Sequence, residues 1–302
     1  MNEPQISIVI LNYMTHNLTI ETLENLKEIE YSNLNIIVVD NCSPNNSYSV
    51  LKNYTNDNKF GFEIYLLKTK INKGYSYGNN IGIKKAEELN SKYVVIMNND
   101  IIIKDSNIFK KLINCFELDS RLAVVGPGIK QKDDRLESPS YLKPIQPLKY
   151  IFKNIFYPFF YFANLFYKIN LHEKQQEKKV YSVAGCFFIS KTNIFKEINY
   201  LDENIFLYGE EVILGEKLLK NGYFAYYYPQ TYIIHNHSST INSIYNNKKK
   251  LDMKFESFKY YLDHYRNDIN IYVKKIMLYS RLLKRVYLYL NIFAKNILKL
   301  IV

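Results

Sequence analysis

The chain has 302 residues, 47% hydrophobic and 23% charged, so one large domain or two small ones can bury a packed core without disulfides. Its three cysteines, Cys42, Cys115 and Cys186, are widely spaced, odd in number and form no CxxC pair; a disulfide framework or structural zinc is not expected, and a reducing compartment is. The formal net charge of +11 is uneven: residues 245–302 hold 13 Lys/Arg against 4 Asp/Glu, a balance that points to anionic lipid, nucleic acid or a solvated helix face.

The opening MNEPQISIVILNY has no basic lead-in and only a short apolar run, so no signal peptide is expected. No stretch of 18 or more uninterrupted apolar residues occurs, so no plain membrane span is expected either. Residues 6–11 (ISIVIL), 34–39 (LNIIVV) and 93–97 (YVVIM) are continuous apolar runs of the kind that form buried parallel strands; 62–67 is a further short strand. Leu18, Leu23, Leu26 and Ile29 recur at helical spacing after a cap region at 15–17, and 81–89 (IGIKKAEEL) reads as another helix. Strand–helix–strand alternation predicts an α/β domain with a parallel sheet.

Ligands of such sheets bind beyond the carboxyl ends of the strands. Each run ends in polar residues: Asn12-Tyr13, then Asp40-Asn41-Cys42-Ser43, then Asn98-Asn99-Asp100. Asn, Asp and Ser are ordinary turn formers, but three such ends together point to one cleft. The first strand leads into NYMTHN, with no G-x-G-x-x-G, and no Walker A motif occurs, so a glycine-rich first loop does not cradle the ligand. Asp100, with Asn98, suits Mg²⁺ or Mn²⁺, hard cations that bind through one or two carboxylates plus substrate phosphates. In 72–83 (NKGYSYGNNIGI), Gly74, Gly78 and Gly82 punctuate a loop entering a helix, where close backbone approach and an anion are favoured.

Residues 150–167 hold ten Phe/Tyr around Pro158, which interrupts any helix; they suit a membrane interface, a sugar platform or a helical excursion packed on the core. HEKQQEKK at 172–179 reads as an exposed connection. In 201–222, Glu210-Glu211 opens a helix closed by Asn221-Gly222; one carboxylate can face the cleft as a general base toward a hydroxyl while its neighbour caps or binds locally. TYIIHNHSST at 231–240 places His235 and His237 at a strand end, and spacing does not choose which is the metal ligand. From residue 271 onward there are seven Lys/Arg and no acids. Lys274, Arg281, Lys284, Arg285, Lys295 and Lys299 fall near one stripe, as in a basic amphipathic helix on an anionic membrane. The alternative is a terminal helix packed on the protein or a second subunit. Nucleic acid is not an expected partner, since no binding module occurs.

Taken in order, ISIVILNY, IIVVDNCSPNNS, NKGYSYGNNIGI, VIMNNDI, VAGCFFISK, LDENIFLYGEEV and the His235 segment resemble glycosyltransferase family 2 over about residues 5–240. The resemblance is nearest to the rhamnosyltransferase-like branch of bacterial surface polysaccharide assembly. It implies an inverting enzyme of GT-A fold, an α/β Rossmann-like mostly parallel sheet flanked by helices with a C-terminal helical extension. The implied division is 1–240 (a donor-nucleotide half, 1–110, and an acceptor half, 111–240, with an aromatic excursion at 141–179) followed by a basic helical region at 241–302. The resemblance makes Asp40 the contact to the nucleotide base, with Asn12 and Asn41 nearby. Gly74 and Asn80 match the loop along the donor, Asn98, Asn99 and Asp100 the DxD-like motif with Asp100 as metal ligand, and Gly185 a position near the donor sugar. Glu211 matches the catalytic base, Glu210 its neighbour, and His235 a histidine completing the metal or diphosphate site. This chain departs at Glu211, where Asp is usual, at Ile213, where a further Asp is common, and at Lys217, where Arg is common. The implied reaction moves a sugar from a UDP- or dTDP-sugar to a hydroxyl of a lipid-linked or growing surface glycan, with Mg²⁺ or Mn²⁺. The implied location is cytoplasmic, peripheral on the inner face of the plasma membrane. Two alternatives stand beside it: a catalytically weak membrane scaffold of the same fold, and a sugar nucleotidyltransferase, which calls for a basic glycine-rich first loop absent here.

Overall fold

A computed structural model describes residues 3–57, 59–131, 136–137, 141–162, 176–235 and 246–301. His237, residues 163–167 of the aromatic stretch and residues 172–175 of the expected connection lie outside the described residues, as do the side chains of Lys295 and Lys299.

Strands β1 (Ile6–Asn12), β2 (Leu34–Asp40) and β4 (Tyr93–Asn98) pair in parallel, with β3 (Glu63–Lys68) at the edge beside β2. Helices cover both faces of this half, which is why its central strands read as largely apolar runs rather than alternating ones. On one face Ile8, Ile10, Ile36, Val38 and Val95 meet Leu23 and Leu26 of α1 (His16–Leu26). On the other, Val9, Ile37, Val39, Val94 and Ile96 meet Ile83 and Ala86 of α3 (Tyr75–Glu88), the two faces alternating residue by residue. The intervening α2 (Ser47–Asp57) links β2 to β3.

The second half of the sheet is mixed. β9 (Phe187–Lys191) runs antiparallel to both β4 and β6 (Leu122–Lys130), and β10 (Phe224–His235) is parallel to β6. β5 (Ile101–Ile103), β7 (Leu136–Glu137) and β8 (Lys178–Val180) are short antiparallel additions, so the end of the expected 172–179 connection is in fact a strand on β10. The strand order is β3-β2-β1-β4-β9-β6-β10-β5, with β7 beside β6 and β8 beside β10.

Two sequence expectations change. α3 begins at Tyr75 rather than near residue 81, and Gly78 and Gly82 lie inside it instead of in a loop. Their role is contact: a Cβ would stand 2.3 Å from Leu11 Cδ1 at Gly78 and 2.2 Å from Val9 Cγ1 at Gly82, so the helix seats on β1 more closely than alanine allows. Gly74, the residue before the helix, has φ of 98°, and a Cβ there would meet the Phe206 carbonyl oxygen at 2.0 Å.

The remaining helices are α4 (Ile108–Asn114), α5 (Pro147–Ile155), α6 (Tyr157–Phe162), α7 (Thr192–Glu197), α8 (Glu210–Lys220), α9 (Asn247–Tyr265) and α10 (Ile271–Ile301). Pro158 sits at the start of α6, and the described part of the aromatic stretch is two short helices, α5 packed against α10 and α6 meeting it through Tyr157 and Tyr287. The C-terminal helices join the body through a third core, in which Ile205, Val212 and Ile213 meet Phe258, Tyr261, Leu262 and Met277. Tyr260 and Tyr265 donate to Asp202 at 2.9 and 2.5 Å, and Ser257 donates to the Leu207 carbonyl at 2.9 Å. The unusual residues of α8 find packing reasons here. Ile213 is buried under α9, and Lys217 Nζ caps the carbonyls of Asn199 and Tyr200 at 3.1 and 2.6 Å.

The orientation of α10 is the larger correction. The basic stripe expected to face a membrane turns inward over its described part: Lys274 is buried, Arg281 donates to Tyr150 and to the Lys254 carbonyl, and Arg285 pairs with Asp252. The outward face is apolar, with Ile276, Leu283, Val286 and Leu290 exposed. The cationic side has partners in α5 and α9, and no periodicity within α10 reveals them.

Candidate active site

The carboxyl ends of β1, β2 and β4 lie level, with Asn12 opposite Asp40 and Leu11 opposite Asn98. Most of their polar groups are spent on one another. Asn12 Nδ2 donates to Asp40 Oδ2 at 2.8 Å, Thr19 donates to Asn12 Oδ1 at 3.0 Å, and Asp40 Oδ1 accepts the Ser43 N–H at 3.0 Å. Both residues are fully buried, and the Asp40 carboxylate ties β1 to β2 at the floor of the cleft. Asn99, also buried, donates to the hydroxyls of Thr15 and Thr19, both at 2.9 Å, and faces α1 rather than the cleft.

Asn41 and Asn80 are clamps as well. Asn41 Nδ2 donates to Asn72 Oδ1 at 3.1 Å and to the Gly74 carbonyl at 3.0 Å, holding the loop before α3. Asn80 is buried and bonds Leu201 through both its backbone groups and Glu203 at 2.8 Å, joining α3 to the segment that precedes α8. That leaves Asn98, half-buried at the end of β4, and Asp100 in the turn to β5.

Asp100 is brought to its partner by strand pairing. β5 runs antiparallel to the end of β10 with Ile101 opposite His235, which sets His235 Nε2 3.4 Å from Asp100 Oδ1. That oxygen is buried and has no hydrogen bond among the described residues. Burial lowers the affinity of His235 for a proton, but Asp100 and then Cys186 outweigh it and push the imidazole pKa up to about 10. An orphaned carboxylate oxygen facing an imidazole is a donor set that fits Mg²⁺ or Mn²⁺. Among the described residues no group of three His, Cys, Asp or Glu could hold an ion, so the set suits a metal that keeps waters and substrate oxygens.

The acidic pair opens α8 after Gly209, at φ of 90°. Acids are favoured at a helix N-terminus by the unpaired N–H groups there. Glu210 turns back, its Oε1 accepting the Tyr208 N–H at 2.8 Å, while Glu211 remains partly exposed. Gly185 lies against Glu211: a Cβ there would sit 3.2 Å from Oε1. Burial, then the Glu211 charge, pushes the Glu210 carboxyl up to about 8. Burial also raises Glu211, opposed by the N–H groups of Glu211, Gly185 and Gly209 and by the Lys254 ammonium. Two adjacent carboxyls that burial raises together resist carrying two charges at once, so the pair shares a proton more readily than separate carboxyls do.

A stability consequence follows with a definite sign. Because the Glu210 pKa is raised, its contribution to folding is fully present below the ordinary carboxylate value and is lost as pH rises through about 8. Glu210→Gln keeps an acceptor for Tyr208 and has no charge to bury. The variant is expected to match wild type in thermal melts at about pH 4 and to exceed it at about pH 9 by on the order of 2 kcal/mol.

Three neighbours of the pair escaped sequence reasoning. Tyr75 donates to the Gly185 carbonyl at 2.5 Å, and burial followed by the charges of Glu210 and Glu211 raises its pKa well above normal. Its place after Gly74 in NKGYSYGNN was the available signal. Cys186 follows Gly185 and faces His235, so two consecutive residues touch the two halves of the site. Lys254, on α9, senses the charge of Glu211 from the far end of the chain, and nothing local marked it.

The family model described as Glycosyl transferase family 2 matches residues 7–198. The chain is 26% identical over 210 residues to the low-salt glycan biosynthesis hexosyltransferase Agl10 of Haloferax volcanii, covering 68% of this chain. It is 20% identical over 236 residues to the O-antigen chain rhamnosyltransferase RfbN of Salmonella typhimurium, covering 78% of this chain and 68% of that protein. The chain spans 59% of the length of Agl10. Among solved structures it resembles S. aureus TarS 1-349 in complex with UDP-GlcNAc (TM-score 0.58, 16% identity, 92% of this chain and 71% of that one). It also resembles the mannosyltransferase PcManGT from Pyrobaculum calidifontis in complex with GDP-Man and Mn²⁺ (TM-score 0.60, 14% identity, 93% and 69%). The fold, a mostly parallel mixed sheet flanked by helices with a C-terminal helical region, is GT-A. With the family model spanning residues 7–198 of a GT-A fold, the chain belongs to glycosyl transferase family 2.

Proposed function

We propose that the protein is a metal-dependent inverting glycosyltransferase. It moves a sugar from a UDP- or dTDP-sugar to a hydroxyl of a lipid-linked or growing bacterial surface glycan, in the manner of the rhamnosyltransferase-like branch. The observation that carries this is the Gly185-Cys186 step, which sets the Asp100–His235 pair on one side and Glu211 on the other. A diphosphate held by the first would present its sugar to the second.

Asp100 and His235 would hold the Mg²⁺ or Mn²⁺ ion, which when bound offsets charge on the departing diphosphate. Asn98, whose N–H donates to the Cys186 carbonyl at 2.8 Å, ends β4 two residues before Asp100. Asn12, Asp40, Asn41, Asn80 and Asn99 shape the donor half from beneath, while Gly74 and Gly185 let backbone approach the ligand closely. Glu211 takes the proton from the acceptor hydroxyl as that oxygen attacks the anomeric carbon from the side opposite the leaving group. One displacement inverts the configuration, and no covalent enzyme intermediate forms. Burial and the Glu211 charge hold the Glu210 carboxyl above its ordinary range beside it. The donor half is assigned to 1–110 and the acceptor half to 111–240, with 241–302 completing the acceptor side through α9.

Attachment to the cytoplasmic face of the plasma membrane is part of the proposal. It is supported by the outward apolar face of α10 and by exposed Leu148, Phe152 and Phe159 on α5 and α6. Among the described residues no helix is long and apolar enough to cross a membrane. The scaffold alternative rests on the altered acidic segment, residues 210–217; of its departures, Ile213 and Lys217 have packing roles, which favours the enzyme reading.

The test is proton NMR of a panel of UDP-, dTDP- and GDP-sugars incubated with the protein and Mn²⁺. The expected result is slow hydrolysis of one pyrimidine-nucleotide donor, the free sugar appearing first as the inverted anomer. First appearance of the retained anomer would overturn the single-displacement mechanism.

A further inference from the structure

The cations that turn inward from α10 meet α9 and α6 around a pocket of about 260 Å³, walled by Tyr157, Lys254, Phe255, Arg281, Lys284 and Arg285. Their countercharges are unequal. Arg285 is paired with Asp252, and Glu256 lies near it. Arg281 donates to two neutral oxygens, the Tyr150 hydroxyl and the Lys254 carbonyl, and stacks on Phe258 with 4.5 Å to the ring centroid. Lys284 lies over the Tyr157 ring at 4.1 Å and Lys254 over Tyr208 at 4.6 Å. Burial, followed by the charges of Arg281, Lys254 and Lys153, pushes the Lys284 ammonium down to about 8. Arg281 and Lys284, whose partners here are neutral oxygens and rings, favour an incoming anion, and phosphate oxygens meet them with charge-assisted hydrogen bonds.

Two neighbours narrow the anion's identity. On one side Lys254 reaches toward Glu211, so the pocket adjoins the acceptor side of the site. On the other, the outer surface of the same helix is apolar, with Leu283 61% and Leu290 63% exposed, and α5 adds Leu148 at 83%. A cationic pocket on one side of a helix whose other side is apolar matches an amphiphile with an anionic head.

Building on the proposed transferase reading, we infer that this pocket binds the phosphate or diphosphate of a lipid-linked acceptor. The lipid tail lies along the outward face of α10 and the sugar hydroxyl points to Glu211. Sequence reading turned these cations toward a membrane surface; the structure assigns them to the substrate.

The experiment titrates the full chain, in EDTA, with inorganic pyrophosphate and with farnesyl diphosphate, comparing wild type, Lys284→Gln, Lys284→Met and Asp100→Ala. Vesicles of phosphatidylglycerol form a second arm, and UDP with Mn²⁺ a third. Wild type is expected to bind farnesyl diphosphate more tightly than pyrophosphate. Both Lys284 variants are expected to bind it about tenfold more weakly, the loss of one charged hydrogen-bond partner. Their melting temperatures and UDP–Mn²⁺ affinity are expected to stay unchanged. Asp100→Ala should bind farnesyl diphosphate as wild type does. Farnesyl diphosphate binding that ignores both Lys284 variants, or that disappears in Asp100→Ala, would overturn the inference. So would vesicle binding that depends on Lys284 without any affinity for farnesyl diphosphate, since the pocket would then read a bulk lipid headgroup. Lys284-dependent farnesyl diphosphate binding with no UDP–Mn²⁺ binding in any form would leave the pocket standing and remove the transferase reading beneath it.

Discussion

Glu211→Gln is expected to lower turnover by about 10²–10⁴-fold, the usual contribution of a positioned general base. Gln keeps the length of the side chain and an acceptor for the N–H groups of Gly185 and Gly209, so the fold and donor binding should persist while the proton acceptor is lost. The pH–rate profile separates this from a structural effect. Burial raises the Glu211 carboxyl above its ordinary range, so wild-type activity should rise with pH through that raised value, and the limb should vanish in the variant. Glu211→Asp is the informative companion. It restores the residue usual in the family, but Gly185 and α8 are set for the longer side chain, with a Cβ at Gly185 only 3.2 Å from Oε1. Retracting the carboxylate by one methylene should cost on the order of 10²-fold, because small misplacements of a reacting group are expensive.

Asp100→Ala is expected to remove metal-dependent donor binding and to reduce turnover by about 10³-fold or more, since a bound ion supplies several kcal/mol of charge stabilisation. Its Oδ1 has no hydrogen bond among the described residues and faces His235 at 3.4 Å, so the variant should lose this one ion pair and the melting temperature should fall only modestly. Isothermal titration with UDP and Mn²⁺ checks the binding half. Affinity equal to wild type would place the metal elsewhere.

Some of this was legible in the sequence and some was not, for separable reasons. The central strands announced themselves because both sheet faces are covered, leaving ISIVIL and LNIIVV with one polar residue each, Ser7 and Asn35, both buried. Glu210 and Glu211 read as a helix start because acids gather at that end, and α8 begins there. The strand-end polar groups were legible as a cluster, but residue type does not say whether each waits for a ligand or for a neighbour. Asn12, Asp40 and Asn99 found Thr19, Ser43 and Thr15. Gly78 and Gly82 looked like loop residues; the force that keeps them glycine is the approach of β1, a tertiary contact. In α10 the periodicity was correctly amphipathic, yet the pattern carries no sign for which face turns inward. Tyr150 and Asp252, distant in sequence, decide it.

The most direct single measurement is release of nucleoside diphosphate from UDP-, dTDP- and GDP-sugars, with Mn²⁺ or with EDTA, by wild type, Asp100→Ala and Glu211→Gln side by side. The expected result is one donor cleaved by wild type only when metal is present, with Asp100→Ala silent and Glu211→Gln strongly slowed but still binding the donor. Equal release by wild type and both variants, or release indifferent to EDTA, would contradict a site in which Asp100 holds the metal and Glu211 takes the proton.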